Sequence, residues 1–490
     1  MLALLAAVAF LHGQVISDAN GRGLAGVLVS NGADVTPTDS TGHYELPRRG
    51  RFVFVITPHS WVPARKGRFQ NPISVADIED RSTGSGGTFD FHLWPTAGPD
   101  GCDVLVITDP QPANLREVDY LKRALVLPYG NNLPSLSFGL VLGDVTYDRP
   151  DLYPDINRAL QQVGIPWFVV NGNHDLALGV GGEEAVRMFE STFGPSTYAF
   201  YGGPALFIAL NDVRHEGGPR YHGGLLPEQR EFLTQLLEKT RATTPVVVFC
   251  HIPWFQADPF AAPVFPLADR NFLFELLARF RTVMVLSGHT HTQRKVVYQR
   301  SDGWTGAAPL LEENVAAFCG GYWGGPTDRS EIPISTMSDG TPPGYAILHV
   351  RADDLSIEYH TRPDLEWTAA SKSGMTLHVP MAVAPGAGFV SYYANVFDGG
   401  PGTLVNARID QRDWVPMKRS IAWDPTYSTA FLAQDSAPIP SKTPRLPDPS
   451  LCFHLWRGIL PADLAVGPHT LTVQAGAKVA TARFAVRTAN

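Results

Sequence analysis

Apolar and polar positions alternate along residues 14–95 between Gly, Asn and Asp turns, as in GQVISDANGRGLAGVLVSNGADVTPTDSTGHYELP. A period of two puts alternate side chains on one face of a strand, so this region predicts a small N-terminal β-sandwich. Val27 and Val29 share one face, and Phe52-Val53-Phe54-Val55 is an unbroken apolar strand. From Asp103 the pattern changes. Short apolar runs alternate with segments of helical period: Leu115, Val118, Leu121 and Leu125; Ile156, Leu160 and Val163; Phe232, Leu233, Leu236 and Leu237. The last of these helices opens on Pro227, a favoured first helical residue. Strand–helix alternation over 99–300 predicts an α/β layered core, β-sheets flanked by helices. From 308 to 490 the chain returns to short strands punctuated by Pro and Gly, among them 345–350, 355–359, 389–396, 452–456 and 469–473. This predicts a C-terminal, mainly β domain.

The informative positions are those where the apolar runs of the α/β region stop. Residues 104–107 lead into Thr108-Asp109-Pro110-Gln111, and 138–142 into Gly143-Asp144. Residues 167–170 lead into Asn171-Gly172-Asn173-His174-Asp175, 246–249 into Cys250-His251, and 283–286 into Ser287-Gly288-His289-Thr290-His291. In open α/β sheets ligands bind outside the carboxyl ends of the strands. Five loops therefore deliver Asp109, Gln111, Asp144, Asn173, His251, His289 and His291 to one cleft. Gly143, Gly172 and Gly288 let the backbone approach closely just before each donor. Carboxylate, amide and imidazole donors without thiolate suit two divalent metal ions, of Mn, Fe or Zn. Such a pair outweighs the two carboxylates and leaves a positive well suited to a phosphate group. Paired metals polarise a phosphoryl oxygen and yield hydroxide near neutral pH, so the reaction class is metal-assisted hydrolysis of a phosphoester. Singly, an Asp after a strand caps a helix and Asn-Gly makes a turn. Seven donors at five strand ends outweigh that explanation.

Composition narrows the picture. The chain has 490 residues, 44% hydrophobic, with 46 Gly and 41 Pro, which suits several turn-rich domains. A net charge of −8 without a basic run gives no expectation of a nucleic-acid partner. Four cysteines exclude a disulfide scaffold and a Cys-rich zinc module. Residues 1–11, MLALLAAVAFL, are apolar with a small-x-small site at Ala7-Val8-Ala9 but no basic n-region. They read as a signal peptide over 1–13, with a first strand as the other reading, and the expected location is extracytoplasmic, periplasmic or secreted. No apolar run reaches the roughly 20 residues that span a bilayer, so no transmembrane segment is expected. Oligomeric state is not legible.

The set Asp109-x-Gln111, Gly143-Asp144, Gly172-Asn173-His174-Asp175, His251 and Gly288-His289-x-His291 resembles the calcineurin-like metallophosphoesterase superfamily over about residues 100–300. With its flanking β regions the chain is similar to the secreted three-domain members. The resemblance implies that Asp109, Gln111 and His291 hold a first metal, Asp144 bridges, and Asn173, His251 and His289 hold a second. It places His174 over the phosphate as the catalytic group, stabilising charge or protonating the leaving oxygen, with Asp175 orienting the imidazole. Gln111 stands where the superfamily usually has His, and a neutral oxygen donor points to a harder ion such as manganese or iron. Gly143-Asp144-x-x-Tyr147 also resembles the purple acid phosphatase motif whose Tyr binds ferric iron, so either Gln111 or Tyr147 completes the first shell. The activity implied is dinuclear hydrolysis of a mono- or diester in a small phosphorylated substrate. The alternatives are a non-catalytic extracytoplasmic binding protein on this scaffold, or another metallohydrolase such as an amidohydrolase, where His-x-His lies at the first strand rather than the last. His215 and His222, in the Gly-rich loop 214–224, and Tyr322-Trp323 are candidate rim contacts, with packing as their other reading.

Overall fold

The computed structural model describes residues 10–63, 75–77, 88–126, 136–177, 179–180, 182–217, 220–256, 264–365, 368–436 and 443–488. Two sheets face each other at the centre. The first has strand order Trp167–Val170, Leu136–Leu142, Gly101–Ile107, Gly344–Arg351, Leu355–Thr361. The second runs Tyr198–Gly202, Ala205–Ala209, Val246–Phe249, Val283–Ser287, Leu310–Asn314, Arg294–Tyr298. Consecutive parallel strands need a crossover, and the helices Leu115–Val126 and Tyr153–Gln161 supply it in the first sheet. Pro227–Lys239 and Leu267–Leu277 do so in the second. Right-handed crossovers put each helix pair on one outer face. The layers are therefore helix, sheet, sheet, helix.

The inner faces meet through aromatic rings. Phe168 of the first sheet stacks on Phe200 of the second at 3.5 Å between centroids, and Phe138 meets Phe207 edge-on at 5.2 Å. Because helices cover one face and a second sheet the other, the strands Trp167–Val170 and Val246–Phe249 are buried at every position. That double burial explains their continuous apolar runs.

The core extends past the boundary expected near residue 300. Leu310–Asn314 pairs in parallel with Val283–Ser287, and Gly344–Arg351 lies antiparallel beside Gly101–Ile107 in the middle of the first sheet. Strands 345–350 and 355–359, assigned from the sequence to the C-terminal domain, therefore close the core. They arrive without intervening helices, so their turn-and-strand pattern matches that of the β domain that follows.

The flanking domains are each two packed sheets. In the N-terminal one, Phe10–Ser17 pairs with His43–Pro47 and Phe91–Pro95, opposite a sheet built on Leu28–Ser30 and Phe52–Val55. Phe52–Val55 is apolar on both faces for a reason. Val53 and Val55 enter the sandwich's own core, while Phe52 and Phe54 join the central core, Phe54 meeting Phe232 edge-on at 6.2 Å. The first described strand starts at Phe10 and buries Leu11, inside the segment read as a leader. The rest of that segment, 1–9, lies outside the described residues. The C-terminal domain pairs Ser391–Val396 and Leu451–Ile459 in one sheet and Val405–Ile409, Gly467–Ala475 and Lys478–Val486 in the other, around its own core. Among the described residues no helix is long and apolar enough to cross a membrane.

Candidate metal centre and active site

The carboxyl ends of Gly101–Ile107, Leu136–Leu142, Trp167–Val170, Val246–Phe249 and Val283–Ser287 converge on one cleft, and all seven expected ligands lie there. Ligand atoms of Asp144, His251 and His289 fall within 4.8 Å of one another. Asn173 Oδ1 lies 3.0 Å from His251 Nε2, and Asp144 Oδ1 lies 3.3 Å from the same nitrogen. Asp109 Oδ1 lies 3.4 Å from His291 Nε2. Two ring orientations are fixed from behind. His251 Nδ1 donates to the Leu142 carbonyl at 2.9 Å, and His291 Nδ1 to the Gly320 carbonyl at 2.7 Å, so each turns Nε2 toward the cleft. Gln111 is present with its amide nitrogen foremost. Nε2 donates to Asp144 Oδ2 at 2.5 Å, and Oε1 faces Cys319 Sγ at 3.8 Å. Ligation through oxygen takes a turn of the terminal amide with the chain in place.

The electrostatics fit a cation site. Among the described residues Asp109 Oδ1 is buried without a hydrogen-bond partner, a costly state for a carboxylate oxygen unless a cation satisfies it. Burial alone would raise Asp144, but the charge and hydrogen bond of His251 and the His174 backbone hold it well below the usual carboxylate range. Burial would likewise lower His251, yet Asp144, with Asp109 behind it, pushes the imidazole up to about 10. His289, buried beside that ring, is pushed down to about 4. Buried carboxylates thus hold protons on imidazoles at the positions where divalent cations would stand. The set of donors fits divalent cations.

Backbone geometry explains why the motifs take this form. Asp109, Gln111, Asp144, His289 and His291 all have φ between 39° and 72°, the left-handed region that non-glycine residues seldom adopt. Each motif glycine lies against a ligand from another loop. A Cβ on Gly143 would sit 2.6 Å from His251 Nδ1, one on Gly172 would overlap Asp144 Oδ1, and one on Gly288 would reach Asp109 Oδ2 at 2.7 Å.

His174 lies at the mouth, half-buried, with Nδ1 3.0 Å from Asp148 Oδ1. The expectation that Asp175 orients it is corrected. Asp175 is fully buried and accepts from the backbone N–H groups of Val145, Thr146 and Gly172 and from the Tyr153 hydroxyl. Its carboxylate ties the two metal loops together beneath the site, and burial near Asp144 pushes it up to about 7. Asp148 was missed because it belongs to no motif; its place in the Asp144 loop was the available signal. Tyr147 stacks on His174 at 4.3 Å between centroids rather than on a metal ligand.

Tyr322 stacks on His291 at 4.3 Å, and Trp323 is buried with its indole N–H on the Pro110 carbonyl. In the hairpin of Val213–Gly217 and Arg220–Gly223, Tyr221 meets His289 edge-on at 5.7 Å, while His222 pairs with Glu216. Of the candidate rim positions, Tyr322 reaches the site, and Tyr221, which carried no sequence signal, joins it.

Comparison with known proteins agrees with this geometry. Three family models match: the N terminal of calcineurin-like phosphoesterase over 11–75, calcineurin-like phosphoesterase over 103–293, and the C terminal of calcineurin-like phosphoesterase over 312–481. A serine/threonine-protein phosphatase of Homo sapiens is 29% identical over 183 residues, covering 34% of this chain and 58% of its own length. The chain thus spans little more than half of that relative. A probable cyclic nucleotide phosphodiesterase of Rhodopseudomonas palustris is 24% identical over 239 residues, 46% of this chain and 77% of its own. Among solved structures, a purple acid phosphatase from yellow lupin (Lupinus luteus) seeds aligns over 69% of this chain and 68% of its own, with 11% identity and a TM-score of 0.39.

Proposed function

The chain belongs to the calcineurin-like metallophosphoesterase superfamily, and from that premise we propose that its cleft hydrolyses a phosphoester with two divalent cations. The observation that carries the reading is the buried Asp109 Oδ1 without a hydrogen bond, facing His291 Nε2 across a cleft of acceptor and imidazole donors. Asp109, Gln111 and His291 would hold one ion and Asn173, His251 and His289 the other, with Asp144 available to both. Bound ions supply Lewis-acid polarisation of the phosphoryl oxygen and a nucleophile from water at neutral pH. The protein's own groups do the rest. Leu142 and Gly320 carbonyls hold His251 and His291 in the ligating tautomer. His174, held by Asp148, gives its Nε2 proton to the departing oxygen. The reading extends to an extracytoplasmic location, supported by the apolar segment 1–11 alone.

The named relatives include a phosphatase and a phosphodiesterase, so the test sets the two ester classes side by side. Protein stripped of metal and reloaded with manganese, iron or zinc is assayed on a chromogenic phosphomonoester and the matching diester. Metal-dependent turnover of either is the expected result, and the ratio assigns the class. A protein with two equivalents of metal and no turnover of either ester would count against hydrolysis.

A further inference from the structure

Three of the four site histidines carry a tyrosine: Tyr147 on His174, Tyr322 on His291 and Tyr221 against His289. Holding an imidazole needs one face of one ring, and any apolar side chain supplies it. Tyr147 and Tyr322 go further. They remain 40% and 43% exposed, each with one face on its histidine. They also stand perpendicular to each other, at 87° and 6.3 Å between centroids. Two perpendicular aromatic walls at the mouth of a charged cleft form a corner. A planar ring entering it stacks on one wall and meets the other with its edge, the two arrangements that aromatic quadrupoles favour. Tyr221 stands edge-on to His289. It is half-buried.

The side of the site matters. Tyr147 lies on His174, the residue assigned to the departing oxygen, so that wall of the corner is on the leaving-group side, while Tyr322 forms the second wall on His291. Resting on the reading that the cleft takes a phosphate group, we propose that Tyr147 and Tyr322 are specificity-determining residues that select phosphoesters whose leaving group carries a planar ring, an aryl or heteroaryl group, over aliphatic ones. Ring stacking of this kind tolerates many ring types, because every planar ring offers a π-face.

The test is binding rather than turnover. Metal-loaded full-length protein is titrated calorimetrically with phenylphosphonate and with ethylphosphonate, whose P–C bonds are not hydrolysed. Phenylphosphonate is expected to bind about tenfold more tightly. The preference is expected to collapse in Tyr147→Leu/Tyr322→Leu and to survive in Tyr147→Phe/Tyr322→Phe. Because the readout is a ratio measured on one protein, any general loss from a disturbed His291 cancels. Equal affinities in the unaltered protein, a preference untouched by the leucine pair, or failure of both phosphonates to bind would each overturn the inference. A phenyl preference in a protein that hydrolyses no ester keeps it and removes the hydrolytic reading. Hydrolysis without that preference does the reverse.

Discussion

His174 differs from the other site histidines in what its ring meets. His251 and His291 give Nδ1 to backbone carbonyls, which turns Nε2 of each toward the cleft. His174 Nδ1 instead meets the carboxylate of Asp148 at 3.0 Å, a side chain that holds the ring at the mouth of the cleft. His174→Ala is therefore expected to leave two metal equivalents by elemental analysis while lowering kcat by about 10²–10⁴-fold. Asp148→Asn is expected to give a smaller fall in kcat at unchanged metal content. A kcat loss that tracks metal loss would make His174 a ligand instead. The candidate ligands were legible because they follow the ends of apolar runs, and a strand end is a place that chain pattern alone locates. Asp148 was not. Its backbone turns left-handed, φ 55°, with its N–H on the His174 carbonyl, a bend that the sequence GDVTYD does not announce.

Elements position these residues through close approach of loops. Gly172 has φ −108°, which any residue adopts, so its requirement is one of space: a Cβ would overlap Asp144 Oδ1. Gly164 is the opposite case, with φ 84° and open surroundings. Gly172→Ala should displace the Asp144 carboxylate and lower metal affinity about 10–100-fold, the range seen when a metal ligand's support is disturbed. Gly164→Ala should cost about 1 kcal/mol of stability and leave metal content intact. Chelator competition and thermal melting on both variants separate the two effects; equal metal loss from both would refute the steric account. The same scale shows where pattern reading stops. Phe52–Val55 showed a strand but not that its two faces serve two different cores. Strands 345–350 and 355–359 showed their type but not their sheet, because a β-strand carries no mark of its partner when no helix precedes it.

At the scale of the whole molecule, the C-terminal domain reaches the metal site. The segment 318–325 wraps the first motif: Phe318 and Cys319 N–H groups donate to the Thr108 and Asp109 carbonyls, and the Gly320 carbonyl holds His291. Tyr322 and Trp323 sit at φ 58° and 53°, so this turn is strained and needs support. Support comes from 443–450 of the C-terminal domain. The Gly325 N–H donates to the Pro444 carbonyl at 2.8 Å, and Leu446, 5% exposed, lies close enough that a Cβ on Gly325 would meet its side chain at 2.8 Å. Pro447 crowds Gly321 in the same way. The load on this strap falls on one half of the site, since Gly320 holds His291 and Cys319 lies against Gln111, while His251 and Asn173 stand at the ends of other strands. Leu446→Ala opens a cavity under the turn without touching any donor. The expected outcome is asymmetric: of the two metal equivalents resolved by titration against a chromogenic chelator, one weakens by about tenfold and the other is unchanged. Equal weakening of both would mean that the substitution acts through general destabilisation. No change in either would mean that the C-terminal domain lies beside the site without shaping it.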